Sequence, residues 1–213
     1  MNKKNIPWAQ ISIEATAIVL SILLAFWIDA WWSNKQQRVT EREYLQAMLG
    51  EIHAIVAEAN RTIKGNEKLN ENARGRIAAF GIDAVPNASM TKTILTELTI
   101  SYRLRASLDT YTDLLSSGSI LTLNDINVRN SLSKLRSQMD FEQEVFRWVV
   151  DFGHRITPRL HEVISNEKLD QLALIEEHVI VIRDNHIRRK QEVIEAAGIA
   201  RDAILNYCED CEN

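Results

Sequence analysis

The sequence predicts an all-α fold, in which an N-terminal transmembrane helix continues into an antiparallel helical bundle of about four main helices. Three observations predict it. Residues 11–32 (ISIEATAIVLSILLAFWIDAWW) form an apolar run with only two charges, Glu14 and Asp29, one near each end. Beyond that run, apolar residues recur at steps of three and four, the period of a helix with one buried face. Breakers are sparse, with seven glycines and three prolines in 213 residues, which favours long helices over sheets.

The first element is the span. At about 1.5 Å per residue, residues 11–32 cross the roughly 30 Å hydrocarbon core of a bilayer. Residues 1–10 are then a short head, and residues 33–213 the bundle domain. Trp8 precedes the run, and Trp27, Trp31 and Trp32 crowd its far end, so four of the five tryptophans are placed like interfacial anchors. The Ile, Leu, Val and Phe residues of the run favour insertion by about 3–6 kcal/mol. An acid at mid-depth would cost roughly 2.5–3.5 kcal/mol; Glu14 and Asp29 are peripheral and cost less. A cleaved signal peptide is the rival reading, with Lys3 and Lys4 as its basic start. The long run, the tryptophans and the lack of an A-x-A site oppose it; Ile28-Asp29-Ala30 is a poor substitute. An uncleaved anchor is expected.

Positive charge is nearly balanced across the span, with Lys3 and Lys4 on one side and Lys35, Arg38 and Arg42 on the other. The head is too short to be a domain, so the simplest insertion leaves the N-terminus cytoplasmic and the bundle outside. One face of the span carries Glu14, Ala17, Ser21, Ala25 and Asp29, at steps of three or four. Small residues in such a stripe let helices approach closely, which suits a second copy or another membrane subunit. The same residues are also ordinary in membrane helices, and Glu14 suits a helix start, where the dipole favours an acid.

The composition is that of a folded domain, 46% hydrophobic and 25% charged, and the net charge of −4 argues against a nucleic-acid partner. Both cysteines lie near the C-terminus, as Cys208-Glu-Asp-Cys211. A lone C-x-x-C lacks the second pair of a zinc site and the setting of a redox motif. In an oxidising compartment the two can form a local disulfide; a simple staple or an incidental pair is favoured over redox catalysis.

The helix is expected to run on past Trp32, because Leu45, Met48, Ile52, Ile55 and Ala59 continue a stripe that Leu49, Val56 and Ile63 widen. Helical character is expected to fade between Asn66 and Phe80. Residues 81–89 (GIDAVPNAS) read as a loop, with Ser89 as N-cap of a helix through Arg105. A short helix from Asp109 to Ser116 should stop at Gly118 in a left-handed cap, with Tyr111, Leu114 and Leu115 as its anchors. Ile120 to Leu123 is an apolar connector, and Asn124 is the expected cap of the next helix, on which Asp125 and Arg129 would pair. That helix runs to about Ile156, with Pro158 a kink or a new start. Ser165 to Lys168 reads as a turn. The last helix spans about Ile175 to Cys208 and buries Val179, Ile182, Val193, Ala197, Ile204 and Cys208.

No catalytic, cofactor or metal residue is assigned. Bundle metal sites use Glu-x-x-His pairs; no Glu stands three residues before any of the five histidines, and Asp151 before His154 is a single imperfect match. His154 with His161, and His178 with His186, read as surface histidines. Asp151-Phe152-Gly153 lacks the other kinase motifs, and Ser116-Ser117-Gly118-Ser119 lacks a phosphate-loop pattern. Arg183 to Lys190 (RDNHIRRK) reads as a solvated basic face.

Two blocks carry a resemblance. The span runs through Trp31-Trp32 into Glu41-Arg42-x-Tyr44-Leu45-x-x-x-Leu49-x-Glu51-Ile52. Further on stand Tyr111-x-x-Leu114-Leu115-Ser116-Ser117-Gly118-x-Ile120 and Val128-Arg129-x-x-Leu132. Together they resemble a bacterial family of single-span membrane proteins of unknown function, with Val128 standing where leucine is expected. The resemblance implies a bacterial inner-membrane location, a cytoplasmic N-terminus and a periplasmic helical domain. It implies no activity. The expected function is therefore non-enzymatic, through protein–protein contacts as a homo-oligomer or an accessory subunit. The alternatives are an extracytoplasmic small-molecule-sensing bundle relaying to a membrane partner, and, less favoured, a metal-dependent membrane enzyme.

Overall fold

The computed structural model describes residues 8–80, 88–166, 168–208 and 211. The described chain is all-α, built from α1 (Trp8–Phe80), α2 (Ala88–Thr99), α3 (Asp109–Ser116), a 3-10 turn (Ser119–Thr122), α4 (Ile126–Ser165) and α5 (Leu169–Tyr207). Two compact units divide it, Met1–Tyr44 and Leu45–Asn213.

In the first unit, Trp8 opens α1, and the helix carries the candidate span. Among the described residues this one helix is long and apolar enough to cross a membrane, with mean hydropathy 1.6 over its most apolar window and none of that window buried. Ile18, Leu20, Leu23, Leu24 and Phe26 are all exposed, as are Trp27, Trp31 and Trp32. Glu14, Ala17, Ser21, Ala25 and Asp29 are exposed too. The Ser21 hydroxyl donates to the Ala17 carbonyl at 2.8 Å, so its polarity is satisfied within the helix. Lys35 lies 5.6 Å from the Trp31 ring centre.

The second unit holds the core. From α1 it buries Leu45, Met48, Ile52, Ile55 and Ala59, the stripe the period marks. The helix does not fade after Asn66 but continues to Phe80. Leu69 and Ala73 are buried there, and Arg76 is held by Glu97 and Glu176. Tertiary packing thus sustains turns whose own propensity is modest. The loop expected at residues 81–89 lies mostly outside the described residues, and α2 begins one residue before Ser89, which is therefore not its N-cap.

α2 also stops earlier than expected, at Thr99 rather than Arg105. Residues 100–108 are non-helical, a strap whose polar backbone is met by side chains from elsewhere. The short helix α3 and its glycine stop agree with expectation, and Gly118 has φ 72°. Tyr111 and Leu114 are buried under α3, whereas Leu115 is 48% exposed and anchors nothing there. The N-cap of α4 is Asp125, one residue after Asn124; its carboxylate accepts the Val128 N–H at 2.8 Å. Arg129 donates to the Leu123 carbonyl at 2.7 Å.

α4 continues through Pro158 without a break. Leu160 and Val163, beyond the proline, pack with Ile94, Leu172, Ile175 and Val179 in one apolar cluster. Burying those two side chains, at roughly 1.5–3 kcal/mol each, offsets the roughly 3 kcal/mol cost of an internal proline. α5 starts at Leu169, six residues before the expected Ile175, since Leu172 belongs to the same cluster. At the far end Cys208 and Cys211 form a disulfide, with Cα atoms 5.4 Å apart.

Candidate functional site

The inward face of α5 carries an unexpected set of residues. Glu176, Arg183, His186 and Lys190 follow each other at steps of seven, three and four, and all are at most 1% exposed. The basic stretch read as a solvated face is thus partly interior, and His186 is not a surface histidine. His53, His154, His161 and His178 are exposed. The correction has a physical origin: buried cations are stable only when paired and hydrogen-bonded, and the strap supplies partners that no local pattern reveals.

The partners of the two cations include backbone carbonyls where α2 ends and on the strap. Arg183 donates through Nε and Nη2 to the Ile100 carbonyl, at 3.2 and 2.8 Å, and through Nη2 to the Glu97 carbonyl. Lys190 donates to the Tyr102 carbonyl at 2.5 Å. From α1, Asn66 accepts the Tyr102 N–H at 3.0 Å. The last carbonyls of a helix have no partner within it; α5 and α1 provide donors there and along the strap, and this fixes the path of the strap.

Around Lys190 the network closes on α4. Glu142 is fully buried, with Oε1 2.8 Å from His186 Nε2 and 3.8 Å from Lys190 Nζ. Burial lowers the His186 pKa further than the Glu142 hydrogen bond raises it, so the ring is neutral at pH 7. With its proton on Nε2, facing Glu142, Nδ1 is an acceptor. It lies 3.0 Å from Ser101 Oγ and 3.4 Å from Lys190 Nζ. Desolvation also pulls Lys190 down to about 8, against the opposing pull of Glu142. Arg183 falls to about 10 for the same first reason, with the Arg76 charge adding to it. Glu176 is pushed up by burial, although Arg76 holds it at 2.7 Å.

Ser101, His186 and Glu142 stand in the order of a nucleophile, a base and an orienting acid. The surroundings do not free the serine for that role. Its hydroxyl also lies 3.1 Å from Asn66 Oδ1, and the Nδ1 lone pair already faces the Lys190 ammonium.

On the outer side of the strap lies an open cleft of about 760 Å³, lined by Arg61, Ile100, Ser101, Tyr102, Arg103, Arg105 and Phe146. Arg61 is clamped to Glu58 by two hydrogen bonds of 2.7 Å, which hold the Glu58 carboxyl below the usual range. Arg105 lowers the Glu58 carboxyl as well, through its charge and its backbone N–H. Arg103 lies 5.9 Å from the Phe146 ring centre. The strap sits close on α1, because a Cβ at Gly65 would fall 2.6 Å from the Tyr102 ring.

The span residues Glu14, Ala17, Ser21, Ala25 and Asp29 take no part in this site, and neither do the anchors Trp27, Trp31 and Trp32 or the Cys208–Cys211 pair. A smaller, mainly apolar cleft of about 330 Å³ lies between α4 and α5, with Phe152, Ile156 and Leu174 on its walls. Among the described residues, no three or more His, Cys, Asp or Glu side chains gather as a metal site would require. Comparison with protein-family models, with curated proteins and with solved structures finds no match to this chain.

Proposed function

We propose that this chain is a single-pass protein of the bacterial inner membrane, of the kind its two sequence blocks resemble. Residues 11–32 lie in the lipid bilayer, the N-terminus is cytoplasmic, and the helices from Leu45 onward form an antiparallel periplasmic bundle. The short α4–α5 connection, residues 166–168, supports that topology. The protein acts through protein–protein contacts, as a homo-oligomer or an accessory subunit, and carries out no catalysis. The observation behind this reading is the exposed apolar stretch of α1 with its stripe of Ala17, Ser21 and Ala25. Such a surface needs lipid on one side and accommodates a close helix partner on the other.

The test is association in a mild detergent. Ser21→Leu with Ala25→Leu should lower the oligomeric state seen by light scattering, or release a stoichiometric partner during purification. An unchanged assembly would refute the contact reading.

A second reading is favoured by one specific observation, the arginine-lined cleft over a strap fixed from within. It suits an extracytoplasmic bundle that senses a small molecule and relays to a membrane partner.

A further inference from the structure

We propose that the cleft bounded by Arg61, Arg103 and Arg105 binds a small organic phosphate, with its dianionic group among the guanidinium groups and its apolar part against Phe146 and Tyr102. The proposal rests on the ligand-sensing reading and names the chemistry of its ligand.

Charge is the first argument. Three arginines line the cleft and one carboxylate, Glu58, compensates them, which leaves an excess of two positive charges. The whole chain carries a net charge of −4, so this concentration opposes the general balance. A phosphate monoester carries roughly −1.5 to −2 at pH 7, which matches that excess; a carboxylate carries half as much. Planar guanidinium groups also offer paired donors suited to phosphate oxygens.

Preorganisation is the second. Arg103 and Arg105 sit on a segment without secondary structure, where side chains normally lose much freedom on binding a ligand. Here the segment is pinned before any ligand arrives. Lys190, Arg183 and Asn66 hold its backbone from inside, and Glu58 orients Arg61.

Size and surface are the third. The volume of about 760 Å³ lies within the 300–1,000 Å³ typical of small-molecule sites. Phe146 and Tyr102 give it a flat apolar side, which inorganic phosphate would leave unused.

The experiment uses the full chain in phosphatidylcholine nanodiscs, titrated calorimetrically with phenyl phosphate, inorganic phosphate, benzoate and short-chain phosphatidic acid. Phenyl phosphate should bind saturably and more tightly than inorganic phosphate or benzoate. Arg103→Gln and Arg105→Gln should each weaken it roughly tenfold. Arg61→Gln should weaken it further, because Glu58 is then released toward the anion. These arginines are exposed, so the variants should keep the wild-type circular dichroism and unfolding midpoint. Tighter binding of phosphatidic acid than of phenyl phosphate would assign the phosphate to a lipid headgroup, and the reverse order to a soluble metabolite; either supports the site. Phosphate binding that the arginine substitutions leave unchanged would overturn it. Arginine-dependent binding of benzoate without phosphate would overturn the phosphate assignment alone and leave the sensing reading standing. No saturable binding of any anion would overturn both.

Discussion

Lys190→Met removes one charge of the buried network, and its cost can be worked from the contacts. The lysine is fully buried and donates to the Tyr102 carbonyl at 2.5 Å. Its loss leaves that carbonyl with only the longer 3.4 Å bond from Asn66 Nδ2, a penalty of about 1 kcal/mol. It also leaves the Glu142 carboxylate, 3.8 Å away and fully buried, with only His186 as partner. Breaking one side of a buried ion pair costs about 3–5 kcal/mol in all. For a unit of this size that lowers the melting temperature by about 6–20 °C. Differential scanning calorimetry and urea unfolding of the full chain in detergent would measure it. The added substitution Glu142→Gln should recover part of the loss, since a neutral amide keeps a hydrogen bond to His186 without an unpaired charge. A single-variant loss below about 1 kcal/mol, or a double variant as unstable as the sum of the two singles, would refute the reasoning.

Two other outcomes follow from the geometry. Glu51 accepts both the N–H and the hydroxyl of Thr110 at the start of α3, at 2.9 and 2.7 Å. Glu51→Ala should therefore destabilise by about 1–3 kcal/mol, with faster amide exchange in α3 by mass spectrometry. Gly118→Ala forces a Cβ into a left-handed conformation at φ 72° and should cost about 1–2 kcal/mol by the same urea assay, with no clash to add to it.

Much of the helical architecture was legible because it rests on local pattern. The stripe from Leu45 to Ala59, the short helix Asp109–Ser116 and the left-handed Gly118 each follow from spacing or from one residue's conformational freedom. The misplacements share one cause. α1 beyond Asn66, α4 across Pro158 and the early start of α5 are sustained by contacts remote in the chain, which outweigh local preference. The cleft was not visible, since Arg61 and Arg105 are 44 positions apart. One signal did exist. Arg183 and His186 stand four residues after Val179 and Ile182, and Lys190 stands three before Val193. Those polar side chains lie in register with the apolar face, where a solvated reading of all eight residues does not fit.

The strap over that cleft has a consequence for how its shape is stored. Residues 100–102 take their path from Asn66, Arg183 and Lys190, bonds that bridge 36 to 88 positions of chain. The instruction for its conformation is therefore written mainly in α5, not in the strap itself. Exchanging the outward side chains of residues 103 and 105 should leave the backbone path intact and change only what the cleft accepts. A chain truncated before α5 would carry every strap residue and still lack its form. Such long loops close late in folding, so the cleft should be among the last features to mature, after the helices around it have already met.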